Sequence, residues 1–402
     1  MNSVVRQMWE QNTDVVMVDT GNSYEGLCEY VGGKYISYTD EHPITMNPFD
    51  IKREELNIEK IGFLENLIML IWKGTQGEVT KTEDRLIEQV ITEYFNEYFA
   101  KKQIENLSFN TFYEYSTVRI PQIIKENNLA GIDLAAYNYL LKDFYKGGSH
   151  ELTLNENLDT KLFDETFIVF EIDSIKDDPL LFPLVTLIIM DVFIQKMRIK
   201  KSRKVLVIEE AWKAIASPMM AEYIKYLYKT ARKFWASVGV VTQEIQDIVG
   251  SPIVKEAIIN NSDIVMLLDQ SKFRERFDEI KAILGLTDVD CKKIFTINRL
   301  ENKEGRSFFR EVFIRRGSVG GVFGVEEPHE CYMTYTTERA EKEALKLYKK
   351  ELQCDHQHAI EAYCRDWELS GITKSLPFAQ KVNQTGHVLR LKPKQEKGLN
   401  RL

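Results

Sequence analysis

An α/β fold with a mostly parallel sheet is predicted by three features of this 402-residue sequence. Short apolar runs recur, at Phe167–Phe170 (FIVF), Val205–Ile208 (VLVI) and Val238–Val241 (VGVV). Helical periodicity separates them, over Leu180–Lys200 after the first and to about Trp235 after the second. The runs do not alternate apolar with polar, which marks strands covered on both faces of a sheet.

The other elements follow in chain order. Val5, Met8 and Trp9 at helical spacing predict an opening helix, with Asn2 or Ser3 as its cap. A strand at Val15–Val18 ends in Asp19-Thr20-Gly21-Asn22, and Lys34–Tyr38 is a second extended piece. Met46-Asn47-Pro48-Phe49 then blocks helix continuation through its proline. From about residue 51 to 146 the pattern is helical, with apolar stripes Leu64, Leu67, Ile68, Ile71 and Leu86, Val90, Tyr94. Thr82-Glu83-Asp84 reads as a cap with acids in the first turn. Beyond Val241 we expect a short helix at Ile253–Ile259 and a fourth strand of the same series at Ile264–Leu268. A β-hairpin is expected over 307–325, turning near Arg316-Gly317-Ser318, then helices over 336–369 and a mobile basic tail. The expected organisation is a first part of the core at 1–50, an all-α insertion at 51–150, the rest of the core with the hairpin at 151–330, and C-terminal helices with the tail at 331–402.

Composition excludes several classes. At 44% hydrophobic and 28% charged residues, the chain has enough apolar surface to offset the entropy of ordering, so it is neither disordered nor of low complexity. The net charge of −8 disfavours general coating of nucleic acid. Five scattered cysteines without a C-x-x-C pair point to a reducing compartment. The first residues lack a secretory leader's layout. The most apolar window, Leu180–Ile194, is too short to span a bilayer and holds Pro183 and Asp191, so a buried helix is expected and the protein is read as soluble or at most peripheral.

The sharpest chemical signal is the tandem Glu209-Glu210 that ends the run VLVI. A buried strand ending in adjacent acids is how P-loop NTPases place a magnesium-associated carboxylate and a water-activating glutamate at the carboxyl edge of the sheet. On that reading Glu209 supports Mg²⁺ through water and Glu210 deprotonates the attacking water. The plainer alternative is a strand that happens to end in solvated acids. Gln243 follows the next strand, in Val240-Val241-Thr242-Gln243, where it can sense a γ-phosphate, or simply mark the strand exit. Arg232 and Lys233 close the intervening helix, where the helix dipole alone favours cations, or where an arginine can serve a neighbouring subunit's nucleotide.

The ordered set VLVIEEAWKAI, AEYIKYLYKTARKF, VVTQEIQDI, SPIVKEAIINNSDIVMLLDQ and ILGLT resembles the TraG-type ATPases of conjugative transposons. That family is related to the large type IV secretion ATPases and more distantly to HerA–FtsK translocases. The resemblance extends from VVMVDTGNSYEGL and NPF near the start to the helices near 340–365. It implies a RecA-like P-loop NTPase core with an all-α insertion, ATP and Mg²⁺ as cofactors, and assembly into hexamers or other oligomers. It further implies other conjugation or type IV secretion components as partners, indirect DNA contact, and a cytoplasmic location with peripheral association at the inner membrane. Asp19, at the end of the first strand, falls near the nucleotide. Arg306, Arg310, Arg315 and Arg316 on the hairpin are further candidates for a contact between subunits, or else a solvated face.

Two departures qualify the resemblance. No G-x-x-x-x-G-K-[S/T] loop, whose amides cradle phosphates, occurs in the 402 residues. At Gly33-Lys34, the nearest approach, Tyr35 replaces the Ser or Thr and Cys28 the first glycine. The chain is therefore expected to start just after the family's phosphate loop, to turn over ATP poorly, and to be marginally stable at the sheet edge left open. Second, Glu209 stands where the family usually has aspartate. A non-hydrolytic structural component and a HerA–FtsK-like DNA translocase are the alternative functions. Cys354, His356, His358 and Cys364 fit no common zinc spacing.

Overall fold

The computed structural model describes residues 1–101, 106–157, 159–210, 218–242, 258–299 and 309–391. The chain divides into two compact units, Met8–Gly21 with Lys34–Ser262, and Met1–Gln7 with Asn22–Gly33 and Asp263–Leu402.

The larger unit is built on five parallel strands, β1 (Thr13–Asp19), β2 (Lys34–Ser37), β3 (Phe167–Glu171), β4 (Arg203–Ile208) and β5 (Ala236–Val240). Their spatial order is β2-β3-β1-β4-β5. β1, β3 and β4 are buried along almost their whole length, as their uninterrupted apolar runs require, whereas β5 is only half-buried. Among the described residues β5 pairs with β4 alone and so forms one edge of the sheet.

Helix α1 (Asn2–Glu10) precedes β1, and α2 (Glu25–Tyr30), which the sequence pattern did not reveal, lies between β1 and β2. The predicted helical stretch is α3 (Ile58–Lys73), α4 (Lys81–Ala100), α5 (Phe109–Asn127), α6 (Leu134–Leu141) and α7 (Glu151–Asn155). Both predicted stripes on α3 and α4 are buried. The starts of these helices are set by side chains that accept from orphan backbone N–H groups: Asn57 from Lys60, Thr80 from Glu83, and Ser108 from Thr111. The cap of α4 is thus Thr80, two residues before the expected Thr82, because Glu83 reaches back to the Thr80 N–H at 3.0 Å and closes a capping box. Phe49 explains the NPF turn. Its amide donates to Asn47 Oδ1, Asn47 Nδ2 donates to Leu107 O, and its ring stacks on Phe112 at 4.9 Å, so the turn docks the sheet unit's helices on one aromatic anchor.

The apolar window is α8 (Leu181–Ile199), a helix buried on almost every side that packs against α3, β1 and β4. Pro183 sits in its first turn, where no intrahelical N–H is needed. Its two buried charges are both matched. Asp191 pairs with Lys60 of α3 at 2.9 Å and accepts from Gln195 at 2.7 Å. Lys196, fully buried, donates to the carbonyls of Phe163 and Glu165 and lies 3.5 Å from Asp14. No helix of the described residues is long and apolar enough to cross a membrane.

The smaller unit holds a three-stranded antiparallel sheet of β6 (Ile264–Leu267), β7 (Phe309–Arg316) and β8 (Val319–Glu326). Here the expectation for residues 264–268 is corrected: the segment is a strand, but it pairs antiparallel with β7 instead of extending the parallel sheet. Ile264, Met266 and Leu268 are accordingly exposed at 50%, 43% and 67%. A run of apolar residues identifies a strand but carries no information on its neighbour. The hairpin turns as predicted at Gly317, whose φ of +58° suits a residue without a side chain. Helices His329–Tyr335, Arg339–Leu352, His356–Ser370 and Ser375–Thr385 enclose a second core around Tyr348, Tyr363 and Trp367. The last of them lies within the stretch expected to be a mobile tail. Ordering comes from Phe378, Ala379 and Val382, all fully buried. Residues 392–402, and most of the expected helix at 253–259, lie outside the described residues.

Candidate active site at the carboxyl edge of the parallel sheet

Three neighbouring strands each end in an acid. In the parallel register Asp19 of β1 stands opposite Glu171 of β3, and β4 passes directly into Glu209 and Glu210. Backbone bonds hold these exits level: Ile172 N donates to Asp19 O at 2.9 Å, Glu209 N to Val18 O at 3.0 Å, and Val241 N to Ile208 O at 2.9 Å. Asp19, Glu209 and Glu210 therefore share one sheet edge, as expected, with Thr242 at the exit of β5. Gln243 lies outside the described residues.

Glu171 is the functional candidate that sequence reasoning missed. The signal was present, since FIVFE ends in an acid just as VVMVD and VLVIEE do. It is 2% exposed and Asp19 is wholly buried. Glu171 Oε1 accepts from Asp173 N at 2.8 Å, and Oε2 accepts from Tyr35 Oη at 3.1 Å. Asp19 Oδ1 accepts from Gly21 N at 3.2 Å, which shapes the turn after β1. Glu209 and Glu210 are half-buried. The Glu210 backbone has φ +49°, a left-handed conformation that a side-chain-bearing residue adopts at a cost of about 1–2 kcal/mol.

Arg232 lies at the opposite edge. It is exposed in the 3₁₀ turn Ala231–Phe234, which leads into the amino end of β5, where Lys204 N donates to Trp235 O at 3.0 Å. Within one chain it is not brought together with the carboxylates. On the hairpin, Arg315 Nη1 donates to Gly285 O and Arg310 Nη1 to Phe309 O; Arg306 lies outside the described residues. Gly33-Lys34 leads into a strand, not a helix, and so lacks the helix amino terminus that gathers phosphate-binding amides.

The donor set suits magnesium chemically, being hard carboxylate oxygen. Among the described residues, no three His, Cys, Asp or Glu side chains converge on a metal-sized site, Cys354, His356, His358 and Cys364 included.

Comparison with known proteins agrees with this fold. The model of the TraG P-loop domain matches residues 1–367. Protein TraC of Escherichia coli (strain K12) is 20% identical over 286 residues, which are 69% of this chain and 31% of TraC, so the chain spans under a third of that relative's length. Among solved structures, VirB4 of Thermoanaerobacter pseudethanolicus superposes with a TM-score of 0.58 at 19% identity, over 81% of this chain and 85% of that one. The bacterial conjugative coupling protein TrwBΔN70 superposes with a TM-score of 0.51 at 12% identity, over 81% of each chain. The fold is thus the RecA-like one of these proteins, and the chain belongs to the TraG P-loop domain family.

Proposed function

We propose that this chain is the catalytic core of a conjugative-transfer or type IV secretion ATPase, which couples ATP hydrolysis to assembly or substrate passage. The observation that supports it most is the level exit of three neighbouring acid-ended parallel strands, of which β4 carries the tandem Glu209-Glu210. Glu210 would take a proton from the attacking water, and Glu209 would hold a magnesium ion through water. Asp19 and Glu171 border the site, and Gln243 senses the γ-phosphate. When bound, magnesium neutralises charge on the phosphates. Arg232, at the far edge of its own sheet, reaches a nucleotide only from a neighbouring copy, so activity requires an oligomer, of which a hexamer is the expected form. Its partners are other components of the transfer apparatus at the cytoplasmic face of the membrane.

The residues present supply the carboxylate half of the site and not the phosphate cradle, since the sequence contains no G-x-x-x-x-G-K-[S/T]. A phosphate cradle supplied by a separate segment would complete the site, and its strand could pair at an edge of the sheet, β2 or β5. The test compares Mg²⁺-ATP binding and turnover by this chain alone with those of the chain joined at its amino terminus to a family phosphate-loop strand and helix. Binding and turnover gained only on joining support the proposal. Failure of both proteins to bind nucleotide favours a non-hydrolytic structural component.

A further inference from the structure

In the smaller unit, a cleft of about 570 Å³ opens between the 3₁₀ turn Ser271–Arg276 and the helix Asp288–Ile294 with the turn after it. Arg274, Lys292 and Arg299 line it, with Phe295, Thr296, Cys291 and Asp288. The cations outnumber the acids, and the single lining acid is already committed, since Asp288 Oδ1 accepts from Lys281 Nζ at 2.5 Å. Lys292 and Arg299 make no ion pair among the described residues; Lys292 acts on Asp288 and Arg299 on Asp269 only through longer-range attraction. Arg274 is pre-positioned. Its guanidinium lies 5.0 Å over the Phe295 ring, which is itself braced edge-on by Phe277 at 4.7 Å.

We propose that this cleft binds a phosphate group, offered either by a free nucleotide or by single-stranded nucleic acid. A guanidinium stacked on a ring keeps its N–H fork free for two phosphate oxygens, and Lys292 and Arg299, without an ion pair among the described residues, supply two further cations. The Thr296 hydroxyl is already donated to Lys293 O at 2.7 Å and lends the anion nothing. The cleft adds no negative charge from Cys291, whose thiol burial keeps protonated. A mononucleotide fits a volume of this size. This site is separate from the carboxylate edge and does not depend on the function proposed there.

The test is a footprint on the intact chain in EDTA, which silences any magnesium-dependent nucleotide binding elsewhere. Alkylation of Cys291 is followed by peptide mass spectrometry with no ligand, with AMP, and with a short single-stranded oligodeoxynucleotide. Direct binding of each probe is measured alongside. We expect protection of Cys291 by AMP, the oligonucleotide or both, and at least about tenfold weaker binding in Lys292→Gln/Arg299→Gln, a loss that shrinks with added salt. Protection by AMP alone assigns a nucleotide; stronger protection by the oligonucleotide assigns a nucleic-acid strand. Cys291 modified at the same rate throughout, or a double variant that binds as the parent does, overturns the proposal. Both substituted residues are exposed, and the footprint on the unaltered chain needs no variant to fold.

Discussion

Asp19 and Glu171 face each other across β1 and β3, in register, at the last position of each strand and out of contact with solvent. Burying two neighbouring acids at one edge of a sheet is unfavourable unless backbone and hydroxyl donors meet them. The Gly21 and Asp173 amides and the Tyr35 hydroxyl do so here. These bonds shape the two turns beside the tandem glutamates.

Removing the Glu171 carboxyl leaves the Asp173 N–H and Tyr35 O–H without their acceptor. Glu171→Ala is expected to destabilise by about 1–3 kcal/mol in urea unfolding, and Glu171→Gln, which keeps one acceptor oxygen, by less.

The buried pair Lys60–Asp191 ties α3 to α8. Breaking it from one side strands the other charge, so Lys60→Met or Asp191→Leu alone is expected to cost about 3–5 kcal/mol. The double variant recovers most of that loss, and the unfolding midpoints of the three proteins decide the matter.

Glu65 has its carboxyl pushed up to about 8, first by burial and then by a hydrogen bond and repulsion from Asp84. The folded chain therefore holds this proton more tightly than the unfolded chain, whose glutamate releases it near its ordinary value. The associated stability is fully present below that ordinary value and is lost as pH rises toward about 8. Thermal midpoints are expected to fall across that window, and Glu65→Gln, which stays neutral, is expected to flatten the dependence and to be the more stable protein at the upper end.

Two glycines in helices predict opposite outcomes for the same substitution. A Cβ at Gly26 of α2 meets the Thr334 carbonyl oxygen at 2.5 Å, whereas at Gly62 of α3 nothing lies within 4 Å. Gly26→Ala is expected to destabilise by about 1–3 kcal/mol through backbone displacement, and Gly62→Ala to stabilise by about 0.5–1 kcal/mol through chain entropy. Equilibrium unfolding of the pair separates these effects.

What the sequence made legible was what depends on local pattern. Uninterrupted apolar runs located β1, β3, β4 and β5 within two residues, because strands covered on both faces are apolar on both sides over most of their length. Glu209 and Glu210 were found because they directly follow such a run, and Asp19 through the family resemblance. Glu171 likewise directly follows an apolar run and was overlooked. Pairing was not legible. Residues 264–267 read identically whether they join a parallel sheet or a hairpin, and only β7 decides. The helix Ser375–Thr385 was hidden by the basic residues around it, since its order comes from Phe378 and Val382 meeting distant helices. Arg232 showed its charge and its helix end but not which edge of the sheet it occupies.

The central claim is that the tandem glutamates do the chemistry, and turnover by Glu210→Gln tests it most directly. In the chain supplied with a phosphate loop, the account predicts unchanged affinity for Mg²⁺-ATP, an unaltered thermal midpoint, and turnover lower by about 10²–10⁴-fold. Turnover equal to that of the parent would contradict it and leave Glu209 and Glu210 as no more than the solvated end of a strand.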